Sequence, residues 1–310
     1  MSAHNQESPL RRLDSKPNVA IVGYPWLIRD HTRLLEACTH LGLSGEIWNP
    51  ENLSIDTRPG SNVPMNNGSH ADAQIVIPRG VNRVFPFVSQ WMKLMDKRGS
   101  VFPNSIESCE KSIDKLRTSI ALVDEEIAVV PSSVALLTGF VPQYDGALVV
   151  KPAFGSGGLG IHSFPSADDP RIRGIANLSR NPDIPLYQHF LLQPMATGAG
   201  TDHRVVILNG RSIAATTRRA RTGSFITNGP NANVEAGAPT GAITLAEQAA
   251  HALGLRFAGV DVIRNDDGFA VLDVNCWPGI SMTEEVTSVD IASALIESLV
   301  QDFRVAHSQS

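Results

Sequence analysis

The residues best suited to chemistry fall into two groups. The first is the run Ala147-Leu148-Val149-Val150-Lys151-Pro152-Ala153-Phe154-Gly155-Ser156-Gly157-Gly158-Leu159-Gly160-Ile161-His162-Ser163-Phe164. A strand-like apolar run ends in a lysine, a glycine-rich loop follows, and a β-type run closes the segment. Glycines let backbone N–H groups wrap an anion, and a neighbouring lysine adds a point charge. A Walker A loop needs Gly-Lys-Ser/Thr opening a helix, and a dinucleotide fingerprint needs a helix after its glycines. Here Lys151 precedes the glycines and the loop runs into Ile161–Phe164. That order reads as a hairpin flap folding over a nucleotide, with Lys151, Gly155, Ser156, Gly157, Gly158 and Gly160 at its phosphates. The alternative is a glycine-rich turn with no ligand.

The second group is Ala258-Gly259-Val260-Asp261-Val262-Ile263-Arg264-Asn265-Asp266-Asp267-Gly268-Phe269-Ala270-Val271-Leu272-Asp273-Val274-Asn275, followed by Cys276-Trp277-Pro278-Gly279. Two apolar runs flank Asn-Asp-Asp-Gly, the pattern of a hairpin. With the turn centred near Asp267, Asp261 pairs with Asp273, and Asn275 shares the face of Asp273. Two opposed carboxylates among Val, Ile and Leu repel, and burial makes this worse. A divalent cation resolves the conflict. Three oxygen ligands with open positions suit Mg²⁺, or Mn²⁺ in its place, shared with nucleotide phosphates. A solvated sheet face is the alternative.

The elements that must position these groups follow from period and punctuation. Val19–Val22, Glu46–Trp48 and Gln74–Ile77 read as strands, and His31–Leu43 and Val88–Lys97 as helices, a βαβ-type opening. Ile55–Asp72 reads as a loop, at most with a short hairpin. Ile106–Asp124 reads as one helix that carries Lys115. Val129–Leu137, Ala147–Phe164 and Leu186–Gln193 supply strands of a flap. Arg204–Asn209 and Arg211–Thr217 form a hairpin around Asn209-Gly210. Thr244–Leu253 and Ser288–Phe303 are helices. In a strand, Arg219 and Arg221 share one face and Arg218 takes the other. Arg79 ends a parallel strand, where open α/β sheets bind ligands, and is a candidate substrate anchor.

Composition sets the frame. The chain has 310 residues, enough for two or three modest domains. Hydrophobic content of 42% and charged content of 18% describe a globular protein, and a net charge of −5 gives no basic footprint for nucleic acid. Cys38, Cys109 and Cys276 have no metal or redox spacing, which suits a reducing cytoplasm. His162, His189 and His203 are likewise unspaced for metal. No run reaches the roughly 18 apolar residues of a membrane span. Residues 1–17 are polar and read as a disordered lead rather than a secretory signal.

The two motifs, in this order and spacing, resemble the ATP-grasp superfamily, and within it the RimK-type amino-acid ligases. The likeness takes in Val19-Ala20-Ile21-Val22-Gly23, Ile75-Val76-Ile77-Pro78-Arg79, Pro103-Asn104-Ser105 and Asp114-Lys115-Leu116-Arg117. Beyond the glycine flap it includes Asp202-His203-Arg204, Arg218-Arg219-Ala220, Ala258-Gly259-Val260-Asp261, Asp273-Val274-Asn275 with Pro278-Gly279, and Val289-Asp290-Ile291-Ala292. The resemblance implies an α/β (α+β) ATP-grasp fold with three parts. These are a pre-ATP-grasp α/β domain over 18–103, a flap domain over 104–190 and a C-terminal antiparallel-sheet catalytic domain over 191–310.

It also implies roles. Lys115 and Lys151 look like the family's two phosphate lysines, and the chain has only six lysines, none after Lys151. Leu192, Gln193 and Met195 occupy the adenine hinge, and Asp202 the place of the ribose-binding acid, though Asp202 reads equally as a turn residue. Arg219 leads near the acyl phosphate, with Arg218, Arg204 and Asn228 beside it. The activity implied is ATP-dependent ligation of an amino acid, glutamate foremost, to a small-molecule or peptide carboxylate, in a cytoplasmic homo-oligomer. Three departures stand out. The hinge Leu191-Leu192-Gln193-Pro194-Met195 lacks Gln-Glu, and Pro194 removes a donor. Asp273 stands where glutamate is usual, and the loop Thr222–Thr240 lacks His-Arg-Gly-Gly. The altered loop favours a small-molecule acceptor. A nucleotide-binding regulatory protein with a degenerate site is the reading from a different class.

Overall fold

The fold is that of a computed structural model of the chain, which describes residues 17–58, 62–135, 144–155, 158–172, 174, 190–227 and 232–308. The expected lead, apart from residue 17, therefore lies outside the described residues. The chain divides into two compact units, Met1–Ile106 together with Asp290–Ser310, and Glu107–Val289.

The first unit is built on a parallel sheet of β1 (Asn18–Gly23), β2 (Ser44–Trp48) and β6 (Ile75–Arg79), in the order β2-β1-β6. Val19 to Val22 and Ile75 to Ile77 are buried without alternation, as befits parallel strands covered on both faces. Helix α1 (Ile28–His40) lays Leu34, Ala37 and Cys38 inward, and α2 (Phe85–Asp96) buries Trp91, Met92 and Met95. The segment Ile55–Asp72, expected as a loop with room for a short hairpin, contains that hairpin as β4 (Val63–Asn66) and β5 (Ser69–His70), and β3 (Leu53–Asp56) adds a third strand to make a small antiparallel sheet. Its strands are only two to four residues long, too short to carry a periodic signal. Trp91 Nε1 donates to the Met65 carbonyl at 3.2 Å and ties α2 to this sheet.

The closing helix α7 (Ile291–Ser308) belongs to this first unit, not to the 191–310 domain expected from the sequence. It packs on α1 and buries Ile291, Leu295, Ile296, Leu299 and Phe303. Sequence order alone does not say which sheet an amphipathic helix returns to.

The second unit opens with α3 (Ile106–Ile113) and α4 (Lys115–Asp124), where one helix was expected. Asp114 divides them. Its backbone is extended (φ −96, ψ 112), and its side chain accepts from the Leu116 N–H at 2.9 Å, an N-cap that restarts the helix at Lys115. A four-stranded sheet follows, in the order β7-β10-β8-β9, of β7 (Ser133–Ala135), β8 (Leu148–Pro152), β9 (His162–Phe164) and β10 (Phe190–Pro194). The expected strand Leu186–Gln193 is described only from residue 190.

A five-stranded antiparallel sheet completes the unit: β11 (Thr201–Leu208), β12 (Arg211–Arg219), β13 (Asn233–Ala236), β14 (Phe257–Asn265) and β15 (Gly268–Asn275), in the order β13-β12-β11-β14-β15. The β11–β12 turn places Asn209 and Gly210 at φ 52 and 79, the positive values that a two-residue hairpin turn of this sequence demands. Helix α5 (Thr240–Ala252) packs on this sheet through Ala242, Ala246, Ala249 and Ala250. Helix α6 (Ser281–Thr287) lies against β12 and β13. Among the described residues no helix is long and apolar enough to cross a membrane.

Candidate active site

The five-stranded sheet carries most of the charged candidates on one face. Arg204 of β11 is in register with Asp261 of β14, and Asp261 with Asp273 of β15. Two residues along, Asp202 of β11 is in register with Arg218 of β12. Two residues the other way, Asn275 is opposite Gly259. Because side chains alternate, these rows share a face. The pairing of Asp261 with Asp273 was expected, but it arises differently. The turn pairs Asn265 with Gly268, so the hairpin is centred half a residue earlier, and a bulge between Asp261 and Val262 restores the match. Leu272 is the extra residue.

The bulge has a use. Lys151 Nζ donates to the Leu272 carbonyl at 3.0 Å. Lys115, at the start of α4, lies with Nζ 3.2 Å from Asp273 Oδ1 and also donates to the Gly155 carbonyl at 3.2 Å. Lys115, Lys151, Gln193 and Asp273 line one narrow cleft with Thr118, Ser119 and Leu191. Lys151 is buried, and desolvation lowers its pKa to about 8, with the nearby Asp273 charge opposing the shift. Around Lys151 the flap is shaped by Pro152. A Cβ on Gly155 or Gly160 would come to 3.3 Å of the Pro152 ring, and Gly158 and Gly160 have φ of 73 and 75. Ser156 and Gly157 lie outside the described residues.

The carboxylates Asp202 and Asp261 are held by arginines. Arg204 grips Asp261 through Nε to Oδ1 and through Nη2 to Oδ2 at 2.8 Å. Arg218 donates to Asp202 from Nε at 2.7 Å and from Nη2 at 2.6 Å, and its Nη2 is 2.9 Å from Asp261 Oδ1. Burial pushes the Asp261 carboxyl up, but the Arg204 and Arg218 charges outweigh it and hold the pKa at about 2. Burial acts against the charged form of Arg218, and Asp261 with Asp202 overcomes it, raising the pKa. Gly259 makes room: a Cβ there would meet Arg204 Nη1 at 3.1 Å and Pro278 Cβ at 2.6 Å.

Several expectations change on this geometry. Arg219 is not in the cluster. It points to the other side of β12, half-exposed, and pairs with Glu235 at 2.9 Å, while the buried Arg218 meets the carboxylates. Arg221 lies beyond the strand. Asp202 is 1% exposed and both its oxygens accept from protein donors, Arg218 and Thr227, so it is an internal counter-ion rather than an open acid for ribose hydroxyls. At the hinge, Pro194 has no N–H and the Met195 N–H is taken by the Ala147 carbonyl at 2.8 Å. Leu192 is buried in the β8–β10 pairing, and Gln193 Nε2 donates to Ser132 at 2.7 Å. Asn228 lies outside the described residues. In the first unit, Arg79 is 3% exposed at the end of β6 and ion-paired with Asp30.

Oxygen donors of the kind a hard cation takes lie on this face, with Asp273 and the Asn275 amide two residues apart, while both Asp261 oxygens accept from Arg204 and Arg218 and would have to give up part of that grip to join an ion. Asp273 is the most accessible of the two acids, at 23% side-chain exposure against 7% for Asp261. Among the described residues no three His, Cys, Asp or Glu side chains cluster as a metal centre of their own. Sequence reasoning missed Thr227, the Leu272 carbonyl and Pro152. The capping role of Asp114, by contrast, had a readable signal, an acidic residue directly before Lys115.

Comparison with known proteins gives the family. Residues 112–299 match the model of the RimK-like ATP-grasp domain. A probable alpha-L-glutamate ligase of Xanthomonas euvesicatoria pv. vesicatoria is 31% identical over 247 residues, covering 74% of this chain and 78% of the relative. A probable alpha-L-glutamate ligase of Citrobacter koseri is 28% identical over 291 residues, covering 90% and 94%. The fold is similar to that of the ATP-grasp ligase PsnB solved with a minimal precursor, with a TM-score of 0.66 at 18% identity, covering 93% of this chain and 99% of that one. PsnB was also solved with its minimal precursor, Mg and ADP, with a TM-score of 0.64. With a family model spanning more than half its length, this chain is a member of the RimK-like ATP-grasp ligases.

Proposed function

We propose that the protein joins a carboxylate to the amine of an amino acid at the expense of ATP, forming an amide and releasing ADP and phosphate. A carboxylate oxygen of the acceptor attacks the γ-phosphorus, ADP leaves, and an acyl phosphate results. The amine then attacks the acyl carbon and expels phosphate. Such a transfer depends on positioning and charge neutralisation.

Lys115 and Lys151 take the phosphates under the flap glycines Gly155, Gly158 and Gly160. Asp261, Asp273 and Asn275 hold Mg²⁺, which neutralises phosphate charge when bound. Arg204 and Arg218 face the acyl phosphate and donor amino acid, the role the sequence had given first to Arg219. The observation that carries this reading is the convergence of Lys115 on Asp273 and of Arg204 and Arg218 on Asp261, on two opposed residues of one hairpin. Four cations meet three carboxylates there, a surplus of positive charge suited to a polyphosphate.

Glutamate is the donor by likeness to the relatives. The acceptor is a small-molecule or peptide carboxylate, read by the loop that precedes β13. The test supplies ATP, Mg²⁺, glutamate and a panel of carboxylates, and follows ADP and product mass. One glutamyl unit gained per ADP supports the reading. Nucleotide left intact across the panel favours a regulatory binder.

A further inference from the structure

Between β12 and β13 the chain is described over residues 220–227 and again from 232. The first of these stretches leaves the sheet at Ala220, whose N–H donates to the Gly200 carbonyl at 2.8 Å, and turns at Gly223 with φ 82. Arg221 to Ser224 are exposed. Thr227 is buried, and its hydroxyl donates to Asp202 Oδ2 at 2.5 Å. That same oxygen accepts from Arg218 Nη2 at 2.6 Å, and that same nitrogen is 2.9 Å from Asp261 Oδ1. Thr227, Asp202, Arg218 and Asp261 thus form one chain of donors and acceptors from the loop to the hairpin carboxylate.

We propose that Thr227 is a positioning residue that seats the substrate loop on the buried charges, so that the place of the loop and the aim of Arg218 are set together. This rests on the ligase reading above. A carboxylate shared among three donors balances their pull. Without the hydroxyl, Asp202 Oδ2 is left to the guanidinium alone, which draws Arg218 toward Asp202 and away from Asp261. At the same time the loop loses its charge-assisted tether. Serine keeps the donor. Valine keeps the shape and loses it.

The experiment compares Thr227→Val and Thr227→Ser with the parent by hydrogen exchange of the 220–227 amides, thermal midpoint, MgADP titration and steady-state kinetics with the carboxylate found by the panel. Thr227→Val should speed exchange at 220–227 roughly tenfold or more, the value of one hydrogen bond to a charged group. It should leave the MgADP Kd within about twofold and raise the carboxylate KM by more than it lowers kcat. Thr227→Ser should restore each property. Unchanged exchange at 220–227 would overturn the proposal. So would a rise spread evenly over the unit with an equal loss of MgADP affinity, or a serine variant no better than valine. If the parent neither binds MgADP nor releases ADP, the ligase reading falls and the exchange comparison alone decides the seating.

Discussion

Lys115 Nζ lies 3.2 Å from Asp273 Oδ1, so a helix-initiating lysine neutralises one of two acids placed face to face on a hairpin. The other acid, Asp261, is neutralised by Arg204 and Arg218. The repulsion between opposed carboxylates, which from sequence alone demands a cation, is therefore already offset by the chain's own charges. A cation supplied with the nucleotide adds to this balance and is not needed to hold the hairpin together.

Asp273→Asn separates these effects. Its partner Lys115 is partly accessible, and such pairs contribute about 1 kcal/mol or less. Urea unfolding should show a change of that size, with no gain from relieved repulsion. Mg²⁺-dependent turnover should fall on the order of a hundredfold, as expected when a group aligned with developing charge is lost. Full Mg²⁺-dependent activity in Asp273→Asn would remove this residue from the cation site.

Asp261→Asn should be much more costly to stability. It leaves the buried Arg218 and the partly buried Arg204 short of a counter-charge, and breaking a buried pair costs about 3–5 kcal/mol. The pH dependence has a defined sign. The folded carboxyl is held at about 2, below its ordinary value, so the stability it contributes is present above about pH 4 and lost as pH falls toward 2. Urea titrations across pH 5 to 2 should show this loss in the parent and a flatter profile in Asp261→Asn.

Lys151 gives the same sign at higher pH for a different reason: burial disfavours its charged form. Burial lowers its pKa to about 8 from an ordinary lysine value near 10.4, so the unfolded chain binds more protons between these limits. Stability should therefore rise with pH from about 8 to about 10, by up to roughly 3 kcal/mol at 1.36 kcal/mol per unit. Lys151→Met should abolish this rise. The same variant should lose about one to two decades of ATP affinity, the value of a charge-assisted contact of about 1.5–3 kcal/mol. Equal ATP affinity in variant and parent, measured by calorimetry, would refute its phosphate role.

Arg218 and Arg219 are neighbours with opposite fates. Arg218→Lys loses the planar fork shared by Asp202 and Asp261, and should reduce both thermal stability and turnover. Arg219→Ala removes a half-exposed pair with Glu235 and should change stability by less than about 1 kcal/mol. A larger loss of turnover in Arg219→Ala than in Arg218→Lys would return the leading role to Arg219.

The hairpin of Asp261 and Asp273 was legible because apolar runs flank Asn-Asp-Asp-Gly, although the exact turn and the bulge that brings the two acids into register were not. The pairing of β8 with β9 was legible because strand-like runs stand on either side of the glycines. Alternation separated Arg218 from Arg219, yet which face was buried depended on Asp202 and Asp261 arriving from β11 and β14. No local pattern records that. Asp202 illustrates the same limit: the resemblance made it a ribose-binding acid and the glycines before it a turn residue, and only its partners Arg218 and Thr227 make it internal. The bulge at Leu272 and the return of α7 to the first unit are long-range outcomes of packing.

The most direct test of the account follows an oxygen atom. The acceptor identified by the panel is supplied with both carboxylate oxygens labelled as ¹⁸O, together with ATP, Mg²⁺ and glutamate. In the acyl-phosphate route, the attacking carboxylate oxygen leaves with the phosphate when the amine displaces it. Mass spectrometry should therefore find one ¹⁸O in each inorganic phosphate and one retained in the amide, with ADP formed in equal amount. Unlabelled phosphate, or AMP with pyrophosphate in place of ADP, would contradict the account.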